Sequence, residues 1–433
     1  MIRRVKIKEI SPALWIPLVW LVLSSSRGRI SPQALGSLDY IQGSGVLRLI
    51  YIGLILLSIY ILFLRGFSFN SFFVQNKCLV LLFLFMGASI LWSVSPDISF
   101  RRWIKTVGTL LMTLLVVTDS KPLQSFSCLL RRFSYAVLPL SLLLILFFPE
   151  YGRLPLADGR LMWVGICSFK NTLAQAALIG ALYFSWILLE QKSELRRFVD
   201  IVFLGLSLFL MVGSESMTAI LTYVGVMGAL LAMRIGKVSM RHIGIIMIYL
   251  ALLAGPSYVV VQELIIGKPI APLVVQSVGR DMTLTGRTAL WNDIFQISME
   301  RPILGHGFGG FWGGNMGNKL WVEYDWQPVD SHNGYLDAFL EQGLIGFLLL
   351  ILFILRAYHG ISLSFSLDYE YATIRMMLFI MAVIHNMNES SFCNLNHPFW
   401  LLFLFAAIAP GTVENEGDQN LEEPGAVSGT LEA

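Results

Sequence analysis

Charge is what this sequence has least of. Asp, Glu, Lys and Arg make up 14% of its 433 residues, against about a quarter in soluble domains. With 56% hydrophobic residues and a mean hydropathy of +0.69, that deficit excludes a soluble enzyme of this length and makes a bilayer the solvent. Cysteine is scarce too. Cys78, Cys128, Cys167 and Cys393 lie far apart, which excludes a disulfide framework and metal-ligand spacing and leaves them as structural filler. The net charge of +3 is too weak a balance to indicate a nucleic-acid partner. There is no soluble domain and no repeat of fixed period.

Long apolar runs are what the sequence has instead. A membrane span needs about 20 mainly apolar residues. Candidates run near 11–25, 46–65, 78–93, 104–118, 133–149, 172–190, 199–213, 217–233, 242–262, 333–355, 373–387 and 397–410. Several are short or end in polar residues, so the expected fold is an all-α polytopic bundle of about 10–12 transmembrane helices. Arg3, Arg4, Lys6 and Lys8 precede the first run and no small-residue cleavage signal follows it, so it reads as a retained span. The expected organisation is N-terminal transmembrane helices over 1–262, a large outer loop with a short amphipathic helix over 263–331, C-terminal transmembrane helices over 332–410, and a tail over 411–433. That tail carries Glu414, Glu416, Asp418, Glu422 and Glu423 without a basic residue, a composition that suits a disordered cytoplasmic end.

Orientation follows from Lys and Arg in the short loops. With the N-terminus inside, Arg65, Lys77, Lys121, Arg131, Arg132, Lys192, Arg196, Arg197, Arg234, Lys237 and Arg241 are cytoplasmic, and the loops near 214 and 388–396 hold no Lys or Arg. Arg101, Arg102, Lys105, Arg153, Arg160 and Lys170 then fall outside and need another explanation.

The segment "RPILGHGFGGFW" (301–312) contains Gly305, Gly307 and Gly310, a literal G-x-G-x-x-G. The dinucleotide fingerprint requires a preceding strand in a βαβ unit. Here the glycines follow a helical pattern in an outer loop, so the dinucleotide reading fails and a turn needing positive φ remains. That helical pattern, "TGRTALWNDIFQISMERP" (285–302), places Leu290, Ile294 and Ile297 on one stripe and Trp291, Phe295 and Met299 beside it. Thr285 is the expected N-cap, and Pro302 with Gly305 ends the helix.

Arg287 lies in the first turn, where a cation opposes the helix macrodipole. It reads either as a solvated arginine or as a ligand that joins the free N–H groups on an anion such as phosphate. Arg280, Arg301, Arg153, Arg160 and Lys170 are further candidates for that anion. In "DSHNGYLDAFLEQGLIG" (330–346), His332 stands at the start of a span with Asp330 or Ser331 as cap, and Asn333, Asp337 and Glu341 follow at i, i+4 and i+8. The helix N-terminus favours a neutral imidazole able to act as a base, and acidic residues on a span usually face the bundle interior. Phe308, Phe311, Trp312, Trp321, Tyr324 and Trp326 crowd the same loop, as an interfacial belt or as platforms for sugar rings. No Asp-x-Asp pair is evident in the loop, so the expected chemistry needs no metal and no cofactor. A base, cations and aromatics at an outer surface suit attack by a hydroxyl on a lipid-linked diphosphate.

These pieces also carry a resemblance. "LWSVSPDISFRRWIK" (91–105), "GICSFKNTLA" (165–174), "GSESMTAIL" (213–221), "TGRTALW" (285–291), "RPILGHGFGGF" (301–311) and "SHNGYLDAFLEQGLIG" (331–346) occur in an order that resembles the bacterial O-antigen ligase/polymerase superfamily, which includes exopolysaccharide polymerases. The resemblance covers about residues 85 to 405. It implies a multi-pass enzyme of the bacterial inner membrane that uses undecaprenyl-diphosphate-linked oligosaccharide as donor, faces the periplasm, and works with a glycan acceptor and with flippase and chain-length regulator proteins. By that resemblance His332 matches the proposed base, Arg287 the diphosphate ligand, and Lys170 with Asn171 a "KN" element. Many members carry a basic residue where this chain has Met217, so Lys170 or Arg160 substitutes for it, or the donor geometry differs. Polymerase is the expected activity, with ligase as the alternative. A lipid-linked oligosaccharide flippase is the reading from a different class, although clean apolar spans and one polar outer loop favour surface chemistry.

Overall fold

The computed structural model describes residues 11–30, 45–155, 159–190, 194–236, 242, 246, 283–324, 327–394 and 397–408. The candidate span at 242–262 and the tail at 411–433 therefore lie outside the described residues, apart from His242 and Ile246. Every other expected run is helical. The helices are α1 (Trp15–Ile30), α2 (Gly45–Leu64), α3 (Phe69–Gln75), α4 (Lys77–Ala88), α5 (Pro96–Val117), α6 (Pro122–Phe147), α7 (Lys170–Glu190), α8 (Glu194–Gly213), α9 (Met217–Arg234), α10 (Thr283–Ser298), α11 (Asn315–Glu323), α12 (Gly334–Ser364), α13 (Tyr369–His385) and α14 (Pro398–Ala407). A two-stranded antiparallel hairpin, β1 (Arg153–Pro155) with β2 (Leu161–Trp163), is the sheet among the described residues. The chain is an all-α, multi-pass membrane protein.

Five of these helices are long and apolar enough to cross a membrane, or six if α3 and the bent segment Lys77–Trp92 count as one broken span. That is fewer than the sequence runs suggest. The shortfall has identifiable causes: α5 opens on Asp97, Arg101, Arg102 and Lys105, α8 opens on Glu194, Arg196, Arg197 and Asp200, and α13 has 17 residues.

Burial separates the helices by role. Helix α7 is 89% buried over its most apolar window and α2 only 22%, so α7 is central and α2 presents most of its side chains outward. Helix α14 buries every residue from Pro398 to Ala406. Lipid is as apolar as leucine, so packing and hydrogen bonds hold the helices together. Rings carry much of that packing; Phe126 stacks on Phe405 with centroids 3.6 Å apart.

Helices α7, α12 and α13 determine where the polar residues gather. The start of α7, the start of α12 and the end of α13 meet at one end of the bundle. At the other end Arg65 pairs with Asp119 and Arg234 with Glu190.

Candidate functional site

The loop that precedes α12 is folded down onto it. Leu290 and Ile294 of α10 are fully buried against Leu336 and Leu340 of α12, with Phe311, Trp312 and Leu320 completing a satellite core. This overturns both readings for three of the loop aromatics. Phe308, Phe311 and Trp312 fill core space, Trp321 donates to the Pro328 carbonyl at 2.8 Å, and Tyr324 donates to Asp293; Trp326 lies outside the described residues. Met299, expected on the apolar face of α10, is 50% exposed.

The glycines have a packing role. Gly343 interrupts α12 at φ +61°, which frees the Leu340 and Glu341 carbonyls to accept from His306 N at 3.0 Å and Gly307 N at 2.8 Å. A Cβ on Gly305 would stand 2.5 Å from the Gln342 nitrogen, and one on Gly343 would stand 2.4 Å from the Ile303 carbonyl. Gly305, Gly307 and Gly309 all have positive φ. Gly310 does not, and is required instead because its Cβ would meet the Ser93 hydroxyl. The loop backbone is thus docked into the broken turn of α12, and the G-x-G-x-x-G serves close approach of two backbones.

Asp337 and Glu341 are buttresses. Asp337 is buried and accepts from Trp312 Nε1 at 3.0 Å, from Ser331 N at 3.2 Å and from the Ser390 hydroxyl. Glu341 accepts from Gly309 N at 2.9 Å, and the Arg102 side chain passes Gly309 with its charge acting on Glu341. Arg102, one of the cations that the loop count left without a role, thereby has one. Lys105 lies over the Tyr51 ring, and Arg153 donates to the Ile145 carbonyl.

His332 sits where these loops converge. The cap of α12 is Asn333, which accepts from Tyr335 N and Leu336 N, and not Asp330 or Ser331. Asp330 accepts instead from His332 N at 2.9 Å, and Trp291 Nε1 donates to the Ser331 carbonyl at 2.7 Å. His332 is held at φ +53°, a left-handed conformation that costs a non-glycine residue about 1–3 kcal/mol and concentrates at functional positions.

Its partner is Glu389, a residue that the sequence reading missed. His332 Nδ1 is 3.1 Å from Glu389 Oε2, while Glu389 Oε1 accepts from Asn171 Nδ2 at 2.9 Å and from Arg287 at 3.3 Å. Arg287 also donates to the Asn388 carbonyl at 3.0 Å. The turn presenting Glu389 is built by Asn386, whose Oδ1 accepts from Ser391 N and Phe392 N. Gly334 lets α12 touch this turn, since a Cβ there would fall 2.0 Å from Asn386 Oδ1. One clue was present: Glu389 is the sole charged residue of the loop at 386–396, in a chain where charge is rare.

The electrostatics differ from a helix-terminus picture. Burial alone lowers the His332 pKa, but the charge of Asp330 and the hydrogen bond and charge of Glu389 outweigh it and raise the value above 6.5. Carboxylates at hydrogen-bond distance overcome a dipole worth about 1 kcal/mol. Burial would raise Glu389, yet its bond and charge contact with His332 and the charge of Arg287 lower it from 4.5 to about 2. His397, hydrogen-bonded to Gln175 at 3.0 Å, is lowered by burial.

The structure therefore brings His332, Arg287 and Asn171 together around Glu389. Lys170 is half-buried next to Asn171 in the first turn of α7. Arg160 stands apart, 3.8 Å from Glu215 with both side chains exposed. Arg301 donates to the Trp92 carbonyl, and Arg280 lies outside the described residues. Among the described residues no group of His, Cys, Asp and Glu is arranged to hold a metal ion.

The family model described as O-antigen ligase matches residues 201–351, a segment that includes Arg287, the glycine loop and His332. The chain is also 27% identical over 286 residues to the exopolysaccharide production protein ExoQ of Rhizobium meliloti (strain 1021), covering 64% of this chain. Both similarities support the resemblance to the O-antigen ligase/polymerase superfamily. The match spans 63% of the ExoQ protein's length. A Haemophilus influenzae protein described as uncharacterized is 25% identical over 346 residues, 78% of this chain and 86% of its own length.

Proposed function

We propose that the protein is a membrane glycosyltransferase that polymerises exopolysaccharide or O-antigen repeat units at the periplasmic face of the inner membrane, with undecaprenyl-diphosphate-linked glycan as donor. The observation that carries this reading is the hydrogen bond between Glu389 and His332 Nδ1. It fixes the ring so that Nε2 is the atom left to act as base. An acceptor hydroxyl gives its proton to Nε2 as its oxygen attacks the anomeric carbon. The bond from that carbon to the diphosphate oxygen breaks, and undecaprenyl diphosphate leaves with the electron pair. Arg287 spends two of its five N–H donors on Glu389 and Asn388 and keeps the others for the leaving diphosphate. Lys170 adds a point charge beside it. Cations here take the part a metal plays in other phosphate-leaving reactions.

Ligase activity, transfer of a finished glycan to lipid A-core, is the second reading, supported by the matching family model described as O-antigen ligase. A glycan gel from cells lacking the protein distinguishes the two. Single repeat units on the carrier, without a ladder, support polymerase. A full ladder that stays on the carrier supports ligase. Complementation by His332→Ala at normal expression restores neither product; wild-type glycan from that variant would remove His332 from the reaction.

A further inference from the structure

The far end of the bundle holds a cavity of about 390 Å³ between the C-terminal end of α12, the start of α13 and the α3–α4 bend. His332 and this cavity lie at opposite ends of the 31-residue α12, so the cavity is separate from the site above. Most of its wall is apolar, including Phe353, Leu363 and Ala407. Two arginines line it as well. Arg375 is 2% exposed and donates to the Ala406 carbonyl at 2.7 Å, the Ser364 hydroxyl at 2.8 Å and the Ile408 carbonyl at 3.4 Å, all of them neutral acceptors. Its charge forms no ion pair among the described residues. It lies over the ring of Tyr371, whose buried hydroxyl has no hydrogen-bond partner among the described residues. Arg356 is exposed at the cavity's edge.

A buried guanidinium without a counter-charge is expensive, and an ionisable group within a membrane bundle marks a functional position by default. The Asp368 carboxylate also lines the cavity and is engaged in capping α13 at 2.9 Å from Tyr371 N. Two cations against one carboxylate leave the cavity positive. Basic pockets between spanning helices hold anionic lipid headgroups, and the volume falls within the range of about 300–1,000 Å³ typical of ligand sites.

The geometry points to a binding site for an anionic glycerophospholipid, with its phosphate between Arg356 and Arg375 and the start of one acyl chain along Phe353 and Leu363. The lipid supplies the missing counter-charge and ties α12 to α13. This site is independent of the proposed reaction.

The test is native mass spectrometry of the full chain in detergent, titrated with dioctanoyl phosphatidylglycerol, dioctanoylglycerol and undecaprenyl monophosphate. Phosphatidylglycerol should bind and the uncharged diacylglycerol should not. Arg356→Gln, at an exposed position, should bind phosphatidylglycerol about fivefold more weakly, which corresponds to about 1 kcal/mol for one basic residue near anionic lipid. Gly360 lines the same cavity and a Cβ there meets nothing within 4 Å, so Gly360→Leu should fill the space, keep the fold and reduce binding. The proposal is overturned if both variants bind as wild type, if diacylglycerol binds equally well, or if undecaprenyl monophosphate is preferred.

Discussion

Replacing Glu389 by Gln keeps the size of the side chain and inverts half of its hydrogen bonding. Glu389 Oε1 accepts from Asn171 and Arg287, both of which only donate at those atoms, so the Gln carbonyl must face them. The Gln amide then turns its N–H₂ toward His332 Nδ1, 3.1 Å away in wild type. Nδ1 must accept, and the ring proton moves to Nε2, the atom that the proposed reaction needs free to take the acceptor's proton. General-base catalysis is worth about 10²–10⁴ in rate, and Glu389→Gln should lose a factor in that range while His332 stays in place. The assay is glycan polymerisation by purified enzyme from lipid-linked repeat units. Turnover within about tenfold of wild type would refute the assignment of Nε2 as the base.

The same substitution has a pH signature. The depression of Glu389 from 4.5 to about 2 corresponds to about 3 kcal/mol at 1.36 kcal/mol per pKa unit. That stability is present above the unfolded value of 4.5 and lost as the pH falls through about 2. The His332 value is raised, so its contribution is complete below 6.5 and is lost as the pH rises through the raised value. Both describe one attraction, which counts once. The gap in thermal stability between wild type and Glu389→Gln should therefore be widest between about pH 5 and 6.5 and narrow above that. In activity the base form of His332 accumulates only above 6.5, so the acid limb of the wild-type kcat profile should lie there. Loss of the carboxylate should move the limb to lower pH; an unmoved limb would show that another group titrates.

Further outcomes follow from the same contacts. Asp337→Ala leaves three donors without an acceptor in a buried place, at about 1–3 kcal/mol each, and should lower the unfolding temperature and the yield of folded protein; unchanged thermal unfolding would show that the loops do not depend on Asp337. Gly343→Ala should destabilise by more than about 1 kcal/mol, because φ is +61° and the Cβ meets the Ile303 backbone, whereas Gly205→Ala in α8, with open space around the Cβ, should be neutral or stabilising by up to about 1 kcal/mol; equal effects would contradict the docking of the loop into the α12 kink. Arg287→Ala and Lys170→Ala should each weaken donor use more than folding, read as a raised KM for the lipid-linked glycan, with unchanged thermal stability for Lys170→Ala and a smaller loss for Arg287→Ala, which also removes a partner of Glu389. Activity should persist after exhaustive treatment with EDTA, and loss restored by added Mg²⁺ would end the metal-free mechanism.

How far the sequence reveals this molecule depends on the range of the interaction that matters. Apolar runs are local, and each one in the described residues became a helix, but polar turns carry several helices well past their apolar parts: the runs at 104–118, 133–149 and 333–355 became Pro96–Val117, Pro122–Phe147 and Gly334–Ser364. The histidine and arginine that meet at Glu389 stood out in the sequence because each sits in a short motif next to a helix start. The polar stripe of Asn333, Asp337 and Glu341 was visible, but its work was not: a 3.6-residue period says that side chains share a face and says nothing about what faces them. Here the facing groups are Trp312, Ser331, Ser390 and Gly309, delivered by three separate loops. Glu389 is the sharpest case, since it lies 57 positions from His332 and 102 from Arg287. No periodicity links them. Only the meeting of α7, α12 and α13 at one end of the bundle does, and that meeting rests on Gly334 against Asn386. A buried carboxylate between a histidine and an arginine cannot be read from spacing, but it can be sought. In a chain this poor in charge, an acid without a basic neighbour in sequence is worth following through the fold, where Glu389 meets Arg287 and His332.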